Sequence, residues 1–339
     1  MKTAVIGGSG YTGGELLRLL AGHPEFNVDY VVAHSNVGEQ ITALHPHLDQ
    51  YQGLKFSSFD GERISKIDLV FMAMPHGEST KLVKSLSQEQ LIVDLGADFR
   101  LKSPTSWEKY YGGTYAGTWI YGAPELPGVR EAIKASTRVA NPGCYATAIA
   151  LSSAPILSVI DSKDIVVVAA SGTSGAGRSA KVSLLATEVS GSLTSYKFGG
   201  VHQHIPEIEE ALFAISGEEV VISFTPILAP MPRGILATTT ARMKSKVSED
   251  EIREMISRMY SQEEFITLLP KGQMPRTASV LGSNHVHMQC ALDSHSNRIV
   301  ISTAIDNLGK GAAGQAIQNA NLMAGFLENS GLTHKGLGL

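Results

Sequence analysis

The stretch that most limits what this chain can fold into is its beginning. Residues 3–6 are apolar and strand-like, Gly7-Gly8-Ser9-Gly10-Tyr11-Thr12-Gly13-Gly14 follows at once, and residues 15–20 are helix-forming. Strand, glycine turn and helix in that order make the dinucleotide fingerprint, read as Gly8-x-Gly10-x-x-Gly13 or Gly7-x-x-Gly10-x-x-Gly13. Glycines allow the tight turn and the close backbone approach, and the helix N-terminus meets the pyrophosphate. Gly8, Ser9, Gly10, Tyr11, Thr12 and Gly13 are therefore candidate cofactor residues; a flexible turn is the plainer alternative. The next strand, residues 28–33, ends in His34-Ser35-Asn36 with no Asp or Glu at its tip. An acid there would hold the ribose hydroxyls of NAD and repel a 2′-phosphate. NADP(H) is the expected cofactor, with His34 and Ser35 near its ribose, unless these residues form only a solvated loop.

Further strands at 68–74, 91–95 and 138–140, with a helix at 78–86, predict a Rossmann-type doubly wound parallel sheet. Pro75-His76-Gly77 and the loop from Asp94 to Arg100 follow strand ends, where ligands gather in such sheets. Asp98 and Arg100 serve either a ligand or a structural ion pair. Beyond residue 144 the texture changes: β runs at 164–170, 220–228, 236–243, 280–292 and 299–305, and a helix at 249–260, predict a second α+β domain. Its sheet is expected to be large and mixed or antiparallel, and its long strands suit a subunit interface. A last helix at 311–327 should pack back on the first domain. The expected division is 1–143 with 311–339 for the dinucleotide, and 144–310 for catalysis and oligomerisation.

With 339 residues, 43% of them hydrophobic, the chain is long enough for both cores. A net charge of -4 supplies no broad basic field, which argues against nucleic acid and anionic membrane as partners. Two cysteines cannot build a disulfide framework, no apolar run reaches bilayer length, and no charged leader precedes the first strand. The expected setting is cytoplasmic.

One cysteine lies in Asn141-Pro142-Gly143-Cys144-Tyr145-Ala146-Thr147. Asn141 suits an N-cap and Pro142 a first helical turn, with the apolar run 146–157 as the helix body. Cys144 then meets unpaired N–H groups and the positive end of the dipole, an environment for a thiolate or an oxyanion. A small buried hydrophobe is the other role open to it. Ionisation alone gains little, since a thiol of pKa ~8.5 is already partly thiolate at neutral pH.

Three constellations could serve that cysteine. Ser171-Gly172-Thr173-Ser174-Gly175-Ala176-Gly177-Arg178 is a glycine and hydroxyl loop ending in arginine, suited to carboxylate or phosphate or else a surface turn. His202-Gln203-His204-Ile205-Pro206-Glu207 sets two imidazoles on one side of an extended segment. General acid/base work is the preferred reading for that pair and no metal is expected; His285 and His287, alternating on a strand, suit structure. Arg233, in Pro232-Arg233-Gly234, can present a guanidinium to an anion.

These motifs, together with Gly309-Lys310-Gly311-Ala312-Ala313-Gly314-Gln315, resemble the N-acetyl-gamma-glutamyl-phosphate reductases of the semialdehyde dehydrogenase superfamily over essentially the whole chain. The cysteine motif and the His-x-His-x-Pro-Glu motif are specific to it; similar aspartate-semialdehyde dehydrogenases usually carry Asn at the position of Gly143. The resemblance implies arginine biosynthesis and a homo-oligomer, dimer or tetramer. It also implies that Cys144 attacks an acyl phosphate, phosphate leaves, and NADPH reduces the thioester. His204 and His202 become the acid/base candidates, in undecided order. Asn141, Ser171, Ser174, Gly175, Arg178 and Arg233 become the substrate side, and Lys310 joins the cofactor side. Open alternatives are a carrier-protein-linked glutamyl or 2-aminoadipyl phosphate reductase, an aspartate-semialdehyde dehydrogenase and, outside enzymes, a redox-sensing dinucleotide-binding regulator.

Overall fold

Six short strands pair into a wholly parallel sheet at the head of the chain: β1 (Lys2–Ile6), β2 (Asn27–Val32), β3 (Leu69–Met72), β4 (Leu91–Asp94), β5 (Ile120–Tyr121) and β6 (Arg138–Ala140). Their order is β2-β1-β3-β4-β6-β5. The computed structural model describes residues 1–338 and divides into two units, the first holding this sheet. It comprises Met1–Pro124, Gly128–Pro142 and Ala312–Leu332. β1 and β3 are apolar on both faces because both faces are covered. On one face, Leu16 and Leu17 of the helix Tyr11–Leu20 and Ala316 and Ile317 of the helix Gly314–Ala324 pack with Val5, Val31 and Phe71. The other face gathers Ala4, Ile6, Val70, Met72 and Ile92 with Ile64 and Leu86. Each of the larger side chains among them contributes about 1.5–3 kcal/mol by leaving water.

The helix expected at 78–86 is shorter, Ser79–Leu82 with a 3-10 turn Val83–Ser85. Its start is held from the next strand end: Asp98 accepts the N–H groups of Gly77 at 2.6 Å and Thr80 at 2.9 Å. Arg100 donates to the carbonyls of Leu95 and Asn141, both at 2.8 Å. Both residues thus do structural work at the sheet's carboxyl edge.

The second unit comprises Glu125–Pro127, Gly143–Gly311 and the described residues from Thr333 on. Its strands are β7 (Ile160–Ser171), β8 (Thr194–Ser195), β9 (Ile222–Leu228), β10 (Ile235–Met243), β11 (Ile266–Leu268), β12 (Val286–Asp293) and β13 (Arg298–Ile305). They form a mixed sheet in the order β11-β12-β13-β10-β7-β9-β8, parallel only at β7/β9 and β11/β12. Along β7, Ile165, Val167 and Ala169 turn inward and the residues between them outward, as one buried face requires. Against β10 and β13 lies the helix Cys144–Ser153, in which every residue from Tyr145 to Ser153 is buried. It is a fixed mount for Cys144.

Two expected elements change. The strand expected at 280–292 starts at Val286, after a helical turn Thr277–Val280, because Gly282 takes φ +76° and Ser283 caps the carbonyl of Val280 at 2.8 Å. The last helix runs only from Gly314 to Ala324; a π-type turn Gly309–Ala313 precedes it and Gly325 at φ +74° ends it. Among the described residues no helix is long and apolar enough to cross a membrane.

Candidate active site

Cys144 opens its helix, and the N-cap is Gly143, not Asn141. Asn141 instead lies two residues upstream in the first unit, where its amide donates to Ala312 and accepts from Asn319 at 3.1 Å. The reason is steric. A Cβ on residue 143 would stand 2.4 Å from Nε2 of His204, so only glycine lets that imidazole lie on the backbone beside the cysteine. Glycine offers no side-chain cap, and the first turn's N–H groups keep the polarity that favours an anion. The N–H of Gly143 itself donates to Oε1 of Glu207 at 2.7 Å, a capping-box contact supplied by another helix. On the far side, a Cβ on Gly311 would come within 2.7 Å of the Cys144 Cβ, so backbone closes in there too.

The histidine segment is a turn, not the extended run expected. His204 has φ -82° and ψ -8°, Ile205 donates to the carbonyl of His202 at 3.0 Å, and the helix Ile205–Ser216 follows with Pro206 in its first turn. Proline's fixed φ favours that start. The rings still come together, centroids 4.8 Å apart. His202 is 6% exposed, among Tyr145, Tyr196 and Phe224. Burial, helped by the neighbouring His204, drives its pKa down to about 2. Its Nδ1 accepts the N–H of His204 at 3.1 Å, which leaves the ring proton on Nε2. His202 is thus a neutral donor that shapes the turn. Tyr196 donates to the Tyr145 hydroxyl at 3.1 Å, and burial raises the pKa of both phenols, Tyr196 to about 12, so both keep their protons.

Gly143→Ala follows as a test of this packing. The added methyl must push the His204 ring away, and kcat is expected to fall about 10²-fold with the circular dichroism spectrum unchanged; a wild-type kcat would refute the contact.

The residues expected to meet an anion are grouped near the start of β10. Arg233 pairs with Asp306, Nη2 to Oδ2 at 2.8 Å, and the start of the Thr173–Ala176 turn lies against its backbone: a Cβ on Gly172 would be 2.7 Å from the main-chain nitrogen of Arg233. Ser174 accepts from Asn307 at 3.0 Å, and Ser171 is buried. Arg178, three residues after Gly175, is exposed on the surface arm that follows.

In the first unit the glycine turn fits a dinucleotide on geometric grounds. A Cβ on Gly7 or Gly13 would meet carbonyl oxygens at 2.2 Å, and one on Gly8 would meet Val31 at 2.4 Å. Gly10 differs: nothing lies within 3.5 Å of its Cβ position, though it is the N-cap of the helix Tyr11–Leu20 and makes no side-chain cap. The chain itself does not demand glycine there; a pyrophosphate against that helix end would.

Residues 2–136 match the semialdehyde dehydrogenase NAD binding domain and residues 144–307 the semialdehyde dehydrogenase dimerisation domain. The chain is 55% identical to the N-acetyl-gamma-glutamyl-phosphate reductase of Acidothermus cellulolyticus over 338 residues, 99% of this chain and 98% of that one. The chain belongs to the N-acetyl-gamma-glutamyl-phosphate reductase family. A relative of the same name in Streptomyces coelicolor is 48% identical over 99% of both chains. Among solved structures, aspartate semialdehyde dehydrogenase II from Vibrio cholerae has a TM-score of 0.71 at 18% identity, covering 95% of this chain and 98% of that one. The Candida albicans aspartate semialdehyde dehydrogenase with NADP has a TM-score of 0.69 at 15% identity, covering 95% of this chain and 98% of that one. Both show the same fold.

Set in this family, the remaining residues fall into place unevenly. His34 and Ser35 are exposed beyond β2, Ser35 donating to Asn36 at 3.1 Å. Lys310, expected along the cofactor, is wholly buried in the second unit against Glu125, both side chains at 0–1% exposure. A lysine between glycines looks like a phosphate ligand, and nothing local reveals a carboxylate 185 residues away. Glu207 was visible as part of its motif without a role. Asp306 and Asn307 carried one signal only, an Asp-Asn pair at a strand's end before Gly-Lys-Gly, and Tyr196 carried none.

Proposed function

We propose that this chain performs the NADPH-dependent reductive dephosphorylation of N-acetyl-L-glutamyl 5-phosphate to N-acetyl-L-glutamate 5-semialdehyde, a step of arginine biosynthesis, through a thioester on Cys144. The observation that carries it is Cys144 at the start of a buried helix whose N-cap glycine offers no side chain, with the His204 ring packed on that glycine. His204 takes the thiol proton as sulfur attacks the acyl carbon, and returns it to the departing phosphate oxygen, so that a C–S bond replaces the C–O bond. N–H groups of the helix's first turn face the oxyanion that forms. NADPH, held along Gly8 to Gly13, would supply a hydride to the thioester carbon. Collapse of the resulting hemithioacetal expels the thiolate, which takes one proton from solvent, and releases the aldehyde. Arg233 and the Ser171, Ser174 and Gly175 loop orient the anionic substrate, with Arg178 and Asn141 as outer candidates. Gly8 to Gly13, with His34 and Ser35, hold the dinucleotide; Lys310 supports the adjoining glycine turn. The unit with the parallel sheet is the dinucleotide-binding part and the other the catalytic and oligomerising part of a cytoplasmic dimer or tetramer.

The deciding experiment runs the reaction backwards. Semialdehyde, phosphate and NADP or NAD are supplied, with the N-acetylated, free and carrier-linked aldehydes compared by kcat/KM. The N-acetylated aldehyde with NADP is expected to lead. Preference for the carrier-linked or aspartyl compound would move the chain to one of the alternatives, and preference for NAD would overturn the cofactor assignment. Ser35→Asp should shift the preference toward NAD, since a carboxylate there repels the 2′-phosphate.

A further inference from the structure

Where β13 ends, paired through Ile305 with Ile235 on one side and Val286 on the other, the chain turns out through Asp306 and Asn307. Asp306 is 0% exposed, a carboxylate in a place where an unpaired charge would be prohibitive. Its Oδ1 accepts Nε of Arg233 at 3.1 Å and the N–H groups of Leu308 at 2.9 Å and Gly309 at 3.2 Å. Its Oδ2 accepts Nη2 of Arg233 at 2.8 Å and the N–H of Gly282 at 2.5 Å. Its carbonyl accepts the N–H of Gly311 at 2.9 Å, and Gly311 is the residue whose Cα faces the Cβ of Cys144. The neighbour extends the same framework: Asn307 Oδ1 takes the N–H of Gly234 at 2.7 Å, and its Nδ2 donates to Ser174 at 3.0 Å.

One buried carboxylate therefore grips the guanidinium with two of its N–H groups and fixes the turn that backs the cysteine. We propose that Asp306 is the positioning residue of this site, setting the distance and angle between the Arg233 guanidinium and the Cys144 thiol. The proposal deepens the reading of Arg233 as the substrate's anion ligand and of Cys144 as nucleophile, and rests on it. A guanidinium neutralised by a buried partner attracts little at long range; it selects by direction, and direction is what Asp306 supplies. Arg233 keeps 22% of its side chain exposed, enough to meet a ligand while its other edge stays fixed. Asp306 touches no substrate atom in this scheme. It acts through Arg233; the bond to Gly311 belongs to its main-chain carbonyl and survives substitution of the side chain.

A double-mutant cycle on the full chain tests it, with N-acetylglutamate semialdehyde, phosphate and NADP as substrates. Arg233→Ala and Asp306→Asn should each raise KM for the anionic substrates about ten- to a hundredfold, the range of a lost charge-assisted hydrogen bond. The double variant should show no larger KM than Arg233→Ala alone, because the second change acts on a group already gone. A merely structural role would lower thermal stability and leave the two KM effects multiplicative, which would overturn the proposal. Should Asp306→Asn fail to fold, Asp306→Glu keeps the charge but displaces it by a methylene, and the same cycle is read with it. Cys144→Ala is assayed alongside. If it still turns over, the covalent reading has failed; if it is dead and the cycle is multiplicative, only the role of Asp306 has.

Discussion

Cys144→Ala is expected to abolish phosphate-dependent oxidation of the semialdehyde and leave NADPH binding nearly intact. Thioester formation has no substitute in the variant: no sulfur remains to carry the acyl group, and positioning alone cannot turn a bound acyl phosphate into a hydride acceptor attached to the enzyme. The structure makes this a clean test. Gly311 faces the Cβ of Cys144, an atom alanine keeps, and alanine is the best helix former at the start of a buried helix. Stability should therefore change by less than about 1 kcal/mol. The glycine turn that would hold the dinucleotide belongs to the other unit, which contains none of the atoms removed. Turnover measured from NADPH formation, beside a fluorescence titration with NADPH, separates the two effects. Residual kcat above about 1% of wild type would exclude the covalent route, and loss of NADPH binding with it would mean that the substitution had disturbed more than the thiol.

How much of this was legible in the sequence depends on how local each cause is. β1, the glycine turn and the helix after it were readable because strand, turn and helix each rest on their own residues. The parallel sheet followed from the spacing of short apolar runs. The N-cap was misread for a non-local reason: Asn141 has the better capping side chain, but that side chain is held by Ala312 and Asn319, and the His204 ring leaves room only for glycine at 143. The same holds for the His202 turn, where the ring accepts the N–H of His204 two residues on and so bends a segment whose composition suggests extension. Lys310 is the sharpest case. Its surroundings, two glycines and an alanine run, say nothing of Glu125, and a buried ion pair is visible only once the chain has folded back on itself. Asp306 is intermediate: a charged residue directly after a buried β run must be paired or exposed, which points to a role without naming Arg233 as its partner.

The two histidines should separate in kinetics. His202, with a pKa near 2, stays neutral through the whole working range, so it cannot gain and lose a proton in each turnover. Burial lowers a histidine's pKa by penalising the imidazolium, so this ring would charge only as the pH falls to about 2. In the proposed mechanism His204, packed on Gly143 beside Cys144, moves the proton. His204→Asn is expected to lower kcat by ~10² to 10⁴, the usual worth of a general acid or base, and to remove the corresponding ionisation from the kcat–pH profile. His202→Asn should keep that ionisation. Its amide oxygen can still accept the His204 N–H, so the turn survives with a looser fit, and the loss should fall chiefly on KM. Steady-state kinetics from pH 5.5 to 9, with circular dichroism to confirm folding, distinguish the outcomes. A larger kcat loss in the His202 variant would exchange the two roles, and a loss of less than about threefold in both folded variants would assign the pair to the structure alone.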